Sequence, residues 1–134
     1  MKHYTATAAA TGLAMLCAGV VAATPAMASH GGGGTAVRTS GNCVHGPGVW
    51  KLKAKADDAG LEIEFEVDTN HVGQLWHVRI TDNRHVVVDR DVRTQAPSGS
   101  FTLNPRTANR VGIIDTIRAH AFRGDTVCGG LVRV

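Results

Sequence analysis

Apolar and polar residues alternate with a period of two along most of the chain from Val49 onward, and turn residues interrupt them at short intervals. No stretch there shows the three-to-four spacing of an amphipathic helix. The pattern predicts an all-β domain. Its clearest unit is residues 50–56, the turn Asp57-Asp58-Ala59-Gly60, and residues 61–67. Folded about that turn, Lys55, Lys53 and Lys51 face Glu62, Glu64 and Glu66. On the other side Ala54, Leu52 and Trp50 meet Ile63, Phe65 and Val67. A slip of one residue would bury six charges, so both faces demand the same register. A second hairpin follows, with Trp76, Val78 and Ile80 on its inward phase. A three-residue loop, Asp82-Asn83-Arg84, would pair Ile80 with Val86 and Val78 with Val88, keeping apolar against apolar. Further strands are expected at 100–104, 114–122 and 126–134, with 107–112 polar and irregular.

Seven strands in hairpin order predict a sandwich of the immunoglobulin or fibronectin type III kind, three strands against four. Trp76 becomes the central inward aromatic of the third strand. The sixth strand, beside it, offers Ile117, Ala119 and Ala121, whose small side chains leave room for an indole.

The first 28 residues break this pattern. Lys2 precedes an Ala-rich apolar stretch, Pro25 interrupts it, and Ala26-Met27-Ala28 supplies the small residues a signal peptidase accepts. Residues 1–28 are therefore expected to be a cleaved secretory signal and the protein to be extracellular, with no membrane span after cleavage. Ala, Gly and Thr dominate the stretch too strongly for a spanning anchor. Leu16 before Cys17 argues against lipidation. Residues 29–41, with a run of four glycines, read as a flexible leader, and residues 42–134 as the sandwich domain. Cys43 and Cys128 then remain as an even pair in an oxidising compartment, and a disulfide is expected. Closing so long a loop is worth about 4.5 kcal/mol on chain-entropy grounds.

Charge is unevenly spread. Residues 49–78 hold three lysines against six acids, whereas residues 79–134 hold nine arginines against five aspartates. A basic half invites an anionic partner. Arg79 and Arg118 fall on the outward phase of strands expected to be neighbours, with His77 and His120 beside them. These four residues form the candidate anion-binding face, opposed by Asp89 and Asp91 on the adjoining strand.

Other chemistry finds little footing. His77, His85 and His120 alternate with apolar residues and so face outward, where a metal centre would lack three or four converging ligands and their supporting shell; no cofactor is expected. The serines of Ser98-Gly99-Ser100 lie in a loop with no strand-to-helix nucleophile turn. Glu62, Glu64 and Glu66 stand about 7 Å apart along one exposed strand, not across a cleft as glycosidase carboxylates do. Of the five aromatics after residue 28, Phe122 alone is expected on the surface, too few for a sugar platform or single-stranded nucleic-acid binding. No specific nucleic-acid partner is expected.

The stretches Trp50, Leu61–Asn70, Gly73-Gln-Leu-Trp76, Ser98-Gly-Ser-Phe101 and Asp115–Ala121 together resemble small secreted immunoglobulin-like proteins of actinobacteria. The resemblance covers most of residues 43–134. It implies fold and export, and it carries over no catalytic residue. The expected role is a secreted, non-catalytic immunoglobulin-like domain that meets another extracellular protein or surface. The alternative is a binder of anionic cell-wall polymer through the Arg-rich face, and an enzyme comes third.

Overall fold

The computed structural model describes residues 34–57, 60–110 and 112–134. The expected signal peptide and the first part of the expected leader, residues 29–33, lie outside the described residues. Within them the chain is all-β and holds nine strands: β1 (Val37–Asn42), β2 (Val49–Asp57), β3 (Gly60–Asp68), β4 (Leu75–Asp82), β5 (His85–Arg93), β6 (Ser100–Leu103), β7 (Arg106–Thr107), β8 (Thr116–Arg123) and β9 (Thr126–Arg133). They form two antiparallel sheets. One runs β1-β2-β3-β6, with β7 also on β3, and the other runs β5-β4-β8-β9.

The first hairpin has the register its sequence demands. Lys51 lies opposite Glu66, Leu52 opposite Phe65 and Lys55 opposite Glu62. Lys51 and Lys53 reach Glu66 and Glu64 at 3.3 and 3.0 Å. Glu62 instead pairs with Arg106, whose guanidinium also holds both oxygens of Asp57 at 2.9 and 2.8 Å. The other face is core: Leu52, Ala54, Leu61, Ile63, Phe65 and Val67 are buried with Trp76, Val78, Ile80, Ile117, Ala119 and Ala121 of the facing sheet. Apolar residues from both sheets thus share one interior, which is what makes the pair of sheets a sandwich. Trp76 is buried, and β8 does pair with β4, with Ala121 opposite Val78 and Ala119 opposite Ile80.

Two of the nine strands were not expected. Val37–Asn42 belongs to the segment read as a flexible leader, yet it pairs with β2 along its whole length, from Val37 opposite Ala54 to Asn42 opposite Val49. The ordered domain therefore starts at least five residues earlier than position 42. Its polar residues carry no apolar stripe, and main-chain bonding to an existing sheet edge holds it. Arg106–Thr107, read as part of an irregular stretch, continues β6 along β3. The register is unbroken, since Leu103 faces Phe65 and Thr107 faces Leu61. Pro105, which has no N–H, interrupts the ladder, but its carbonyl still accepts from the Ile63 N–H at 3.0 Å.

The second hairpin also differs. Its loop has two residues, Asn83 and Arg84, both with positive φ (46° and 74°), and Asp82 lies opposite His85. Two left-handed residues give a turn whose twist suits the strands. A bulge between Ile80 and Thr81 then corrects the phase, so that Ile80 faces Val88 and Thr81 faces Val86. Val78 lies opposite Arg90, which puts a charge on the inward phase of an edge strand. The sixth expected strand begins later as well: β8 starts at Thr116, and Ile113 and Ile114 are exposed.

Cys43 and Cys128 form the expected disulfide, with a Cα separation of 4.3 Å. Here the connection from β1 to β2 touches the other sheet, because Val44 pairs with Val127 of β9 through two main-chain bonds of 2.8 and 3.0 Å. Trp50 packs beside the bridge, and its Nε1 donates to the Asn42 carbonyl at 3.2 Å. The ring needs glycine opposite: a Cβ at Gly130 would lie 2.4 Å from the indole.

Candidate functional site

Inward positions of β5-β4-β8-β9 are spent on the core, so the alternate positions form its water-facing surface. Cross-strand pairing arranges that surface in rows. One row runs Asp91, His77, Phe122, Val127; the next runs Asp89, Arg79, His120, Gly129; a third runs Val86, Thr81, Arg118, Leu131. All four residues of the expected anion-binding face therefore do share one sheet surface. Arg79 is directly opposite His120, and His77 is one row away from both.

Their charges are not free to act together. His77 lies between two carboxylates, with Nε2 2.9 Å from Asp89 and Nδ1 2.9 Å from Asp91. The hydrogen bond to Asp91 is the main cause that raises the His77 pKa above its ordinary value, with Asp89 adding to it. Arg79 shares Asp89 at 3.8 Å. While His77 is neutral, this group of four carries one net negative charge. Protonating His77 cancels that charge and leaves the group neutral, so acidification removes negative field without making a cationic site. His120 behaves in the opposite way. Partial burial, and then the nearby Arg118 guanidinium, hold its pKa below the usual value. Its ring leans on Phe122, with centroids 6.0 Å apart.

Arg118 stands apart from this cluster, since no hydrogen bond or ion pair engages its guanidinium among the described residues. His85, expected on the outward phase, lies instead opposite the inward Asp82, because the two-residue turn and the bulge shift its phase. Among the described residues no group of three or more His, Cys, Asp or Glu could hold a metal ion.

Of the apolar part of this surface, the sequence reading expected Phe122 alone. Leu75 (46 % exposed), Val86 (51 %), Phe122 (39 %) and Leu131 (37 %) each come from a different strand and stand in water among the charged residues. The phase of Leu75 and Leu131 could have been read from the alternation. That of Val86 could not, because it depends on the bulge. No family model, curated protein or solved structure matches the chain.

Proposed function

We propose that this chain is an exported, non-catalytic immunoglobulin-like domain that docks a protein partner on the outer surface of β5-β4-β8-β9. Support for that type of sandwich comes from the strand order. The path β2-β3-β6 faces β5-β4-β8-β9, the arrangement of a fibronectin type III domain, with β1 added at one edge. The exported location rests on the first 28 residues of the sequence.

The observation that carries the docking reading is the presence on this one surface of four exposed apolar side chains, one per strand, interspersed among its charges. Isolated exposed apolar residues are ordinary, but a shared flat surface with aromatic and aliphatic groups between charges has the make-up of a protein interface. Asp89 and Asp91 favour a partner with charges of both signs. They oppose a polymer of uniform negative charge, which is why wall-polymer binding through Arg79, Arg118, His77 and His120 is the second reading.

Site-directed photo-crosslinking in the exporting cell tests this. A photoreactive residue in place of Phe122 should give a covalent adduct of discrete mass that contains a second protein. The same group in place of Glu64, on the outer surface of the other sheet, should give none. Equal adducts from both positions, or none from either, would overturn the docking reading; a carbohydrate or phosphate polymer captured at Phe122 would favour the second.

A further inference from the structure

The turn between β4 and β5 and the start of β8 border an open cavity of about 290 Å3, lined by Thr81, Asn83, Arg84, Thr116 and Arg118. That volume is at the lower end of the roughly 300–1,000 Å3 typical of small-ligand sites. We propose that this cavity is a binding site for a phosphate-type oxyanion, held between the guanidinium groups of Arg84 and Arg118. The site does not depend on the protein-docking reading, although Thr81 and Arg118 share a row with Val86 and Leu131, and it uses residues outside the carboxylate-bound cluster of His77 and Arg79.

Four features make the cavity suited to such a group. Neither guanidinium has a hydrogen bond or ion pair among the described residues, in contrast to Arg79 and Arg106. The Thr81 and Thr116 hydroxyls are likewise without a hydrogen-bond partner there. The cavity therefore presents forked N–H donors and two hydroxyls, and none of its lining residues is acidic. A carboxylate has two oxygens in one plane and would leave donors unused, whereas a tetrahedral phosphate offers oxygens in several directions.

Asn83 fixes the shape of the site. Its backbone N–H donates to the Thr116 carbonyl at 3.0 Å, and its side-chain oxygen accepts from the Thr116 N–H at 3.0 Å. The side-chain amide donates to Asp115 at 3.0 Å. The turn carrying Arg84 is thus tied to the strand carrying Arg118, and binding need not order it first. The Asp115 carboxylate is buried behind Asn83 and spends one oxygen on that amide. Arg133, opposite Thr116 on β9, adds positive field at the rim.

Phosphate oxygens could come from the free ion or from the diester of a larger molecule, and two titrations separate these sources. Amide NMR spectra of the disulfide-bonded protein are followed at constant ionic strength in chloride, with inorganic phosphate in one series and glycerophosphoglycerol in the other. Saturable shifts at Thr81, Arg84, Thr116 and Arg118 in either series are expected, and the series that saturates names the source. Arg118→Gln and Arg84→Gln should each weaken saturation at least about tenfold. Both side chains are exposed, so these variants should keep the wild-type spectrum elsewhere. Lys51→Gln, on the other sheet, should change nothing. Failure of both anions to saturate, or unchanged saturation in the two arginine variants, would overturn the site while leaving the docking reading untouched.

Discussion

Asp82 ends β4 on its inward phase, 3 % exposed, with Oδ1 lacking any hydrogen-bond partner and Oδ2 only 3.4 Å from the Thr107 hydroxyl. Burial, and then the charge on Asp115, raise its pKa above the ordinary carboxylate value. A carboxyl raised in the folded state favours folding when protonated. Its contribution is complete below about pH 3.9, the unfolded value, and is lost as the pH climbs through the higher folded value. Asp82→Asn removes the charge and keeps the shape. The variant should therefore be more stable than the wild type at pH 7, by about 1 kcal/mol, the scale of one unsatisfied buried group. The gain should vanish by pH 3.5. Urea midpoints at the two pH values measure this, and a less stable variant at pH 7 would show that the Asp82 charge is used. The same residue scale decides the outer surface. Arg79 and Arg118 look alike in the sequence, yet one shares a carboxylate with His77 and the other stands beside an open cavity with no ion pair among the described residues.

At the scale of the element, the β2–β3 hairpin is held by two faces of very different worth. Its lysine–glutamate pairs are exposed and screened, so each contributes little, and their joint effect is to fix register. Phe65 is fully buried and meets Phe101 edge-on, with ring centroids 6.4 Å apart. Phe65→Ala should cost about 3–5 kcal/mol by leaving a cavity, and Lys53→Ala well under about 1 kcal/mol. Chemical denaturation of the two variants checks the difference. Comparable losses would mean that the ion pairs contribute as much as the core. The β4–β5 hairpin follows other rules. Its valines are spread over both faces, so apolar matching alone admits more than one loop length. The side chain of Asn83, bonded to a strand more than thirty positions away, accompanies the two-residue turn.

For the molecule as a whole, the disulfide joins residues 85 positions apart and ties the connection between β1 and β2 to β9 of the other sheet. The Val44–Val127 pairing and the contact of Trp50 with Gly130 lie at the same edge. Replacing both cysteines with serine should lower stability by about 2–5 kcal/mol, the usual loss when a small domain is deprived of its disulfide. Tryptophan fluorescence during urea unfolding provides the readout, and a loss below about 1 kcal/mol would show that packing alone closes this edge.

Period-two alternation determined the all-β class, the inward set from Leu52 to Ala121 and the register of the first hairpin, because each follows from which side of a strand a residue takes. The pairing of Cys43 with Cys128 was equally legible, since no other cysteine follows residue 28. Tertiary structure decided the rest. β1 has no apolar stripe and becomes a strand only because β2 offers an open edge to its main chain. β7 is recognisable only against β3, beyond a proline that ends the local pattern. The bulge at Ile80–Thr81 sets which way Val86 and His85 face, and the fit of the turn to Thr116 accompanies it. Of the candidate site, the shared surface of His77, Arg79, Arg118 and His120 could be read from phase and strand order. Which of those charges are already neutralised could not, because an ion pair depends on distances across strands, and a sequence records only distances along one.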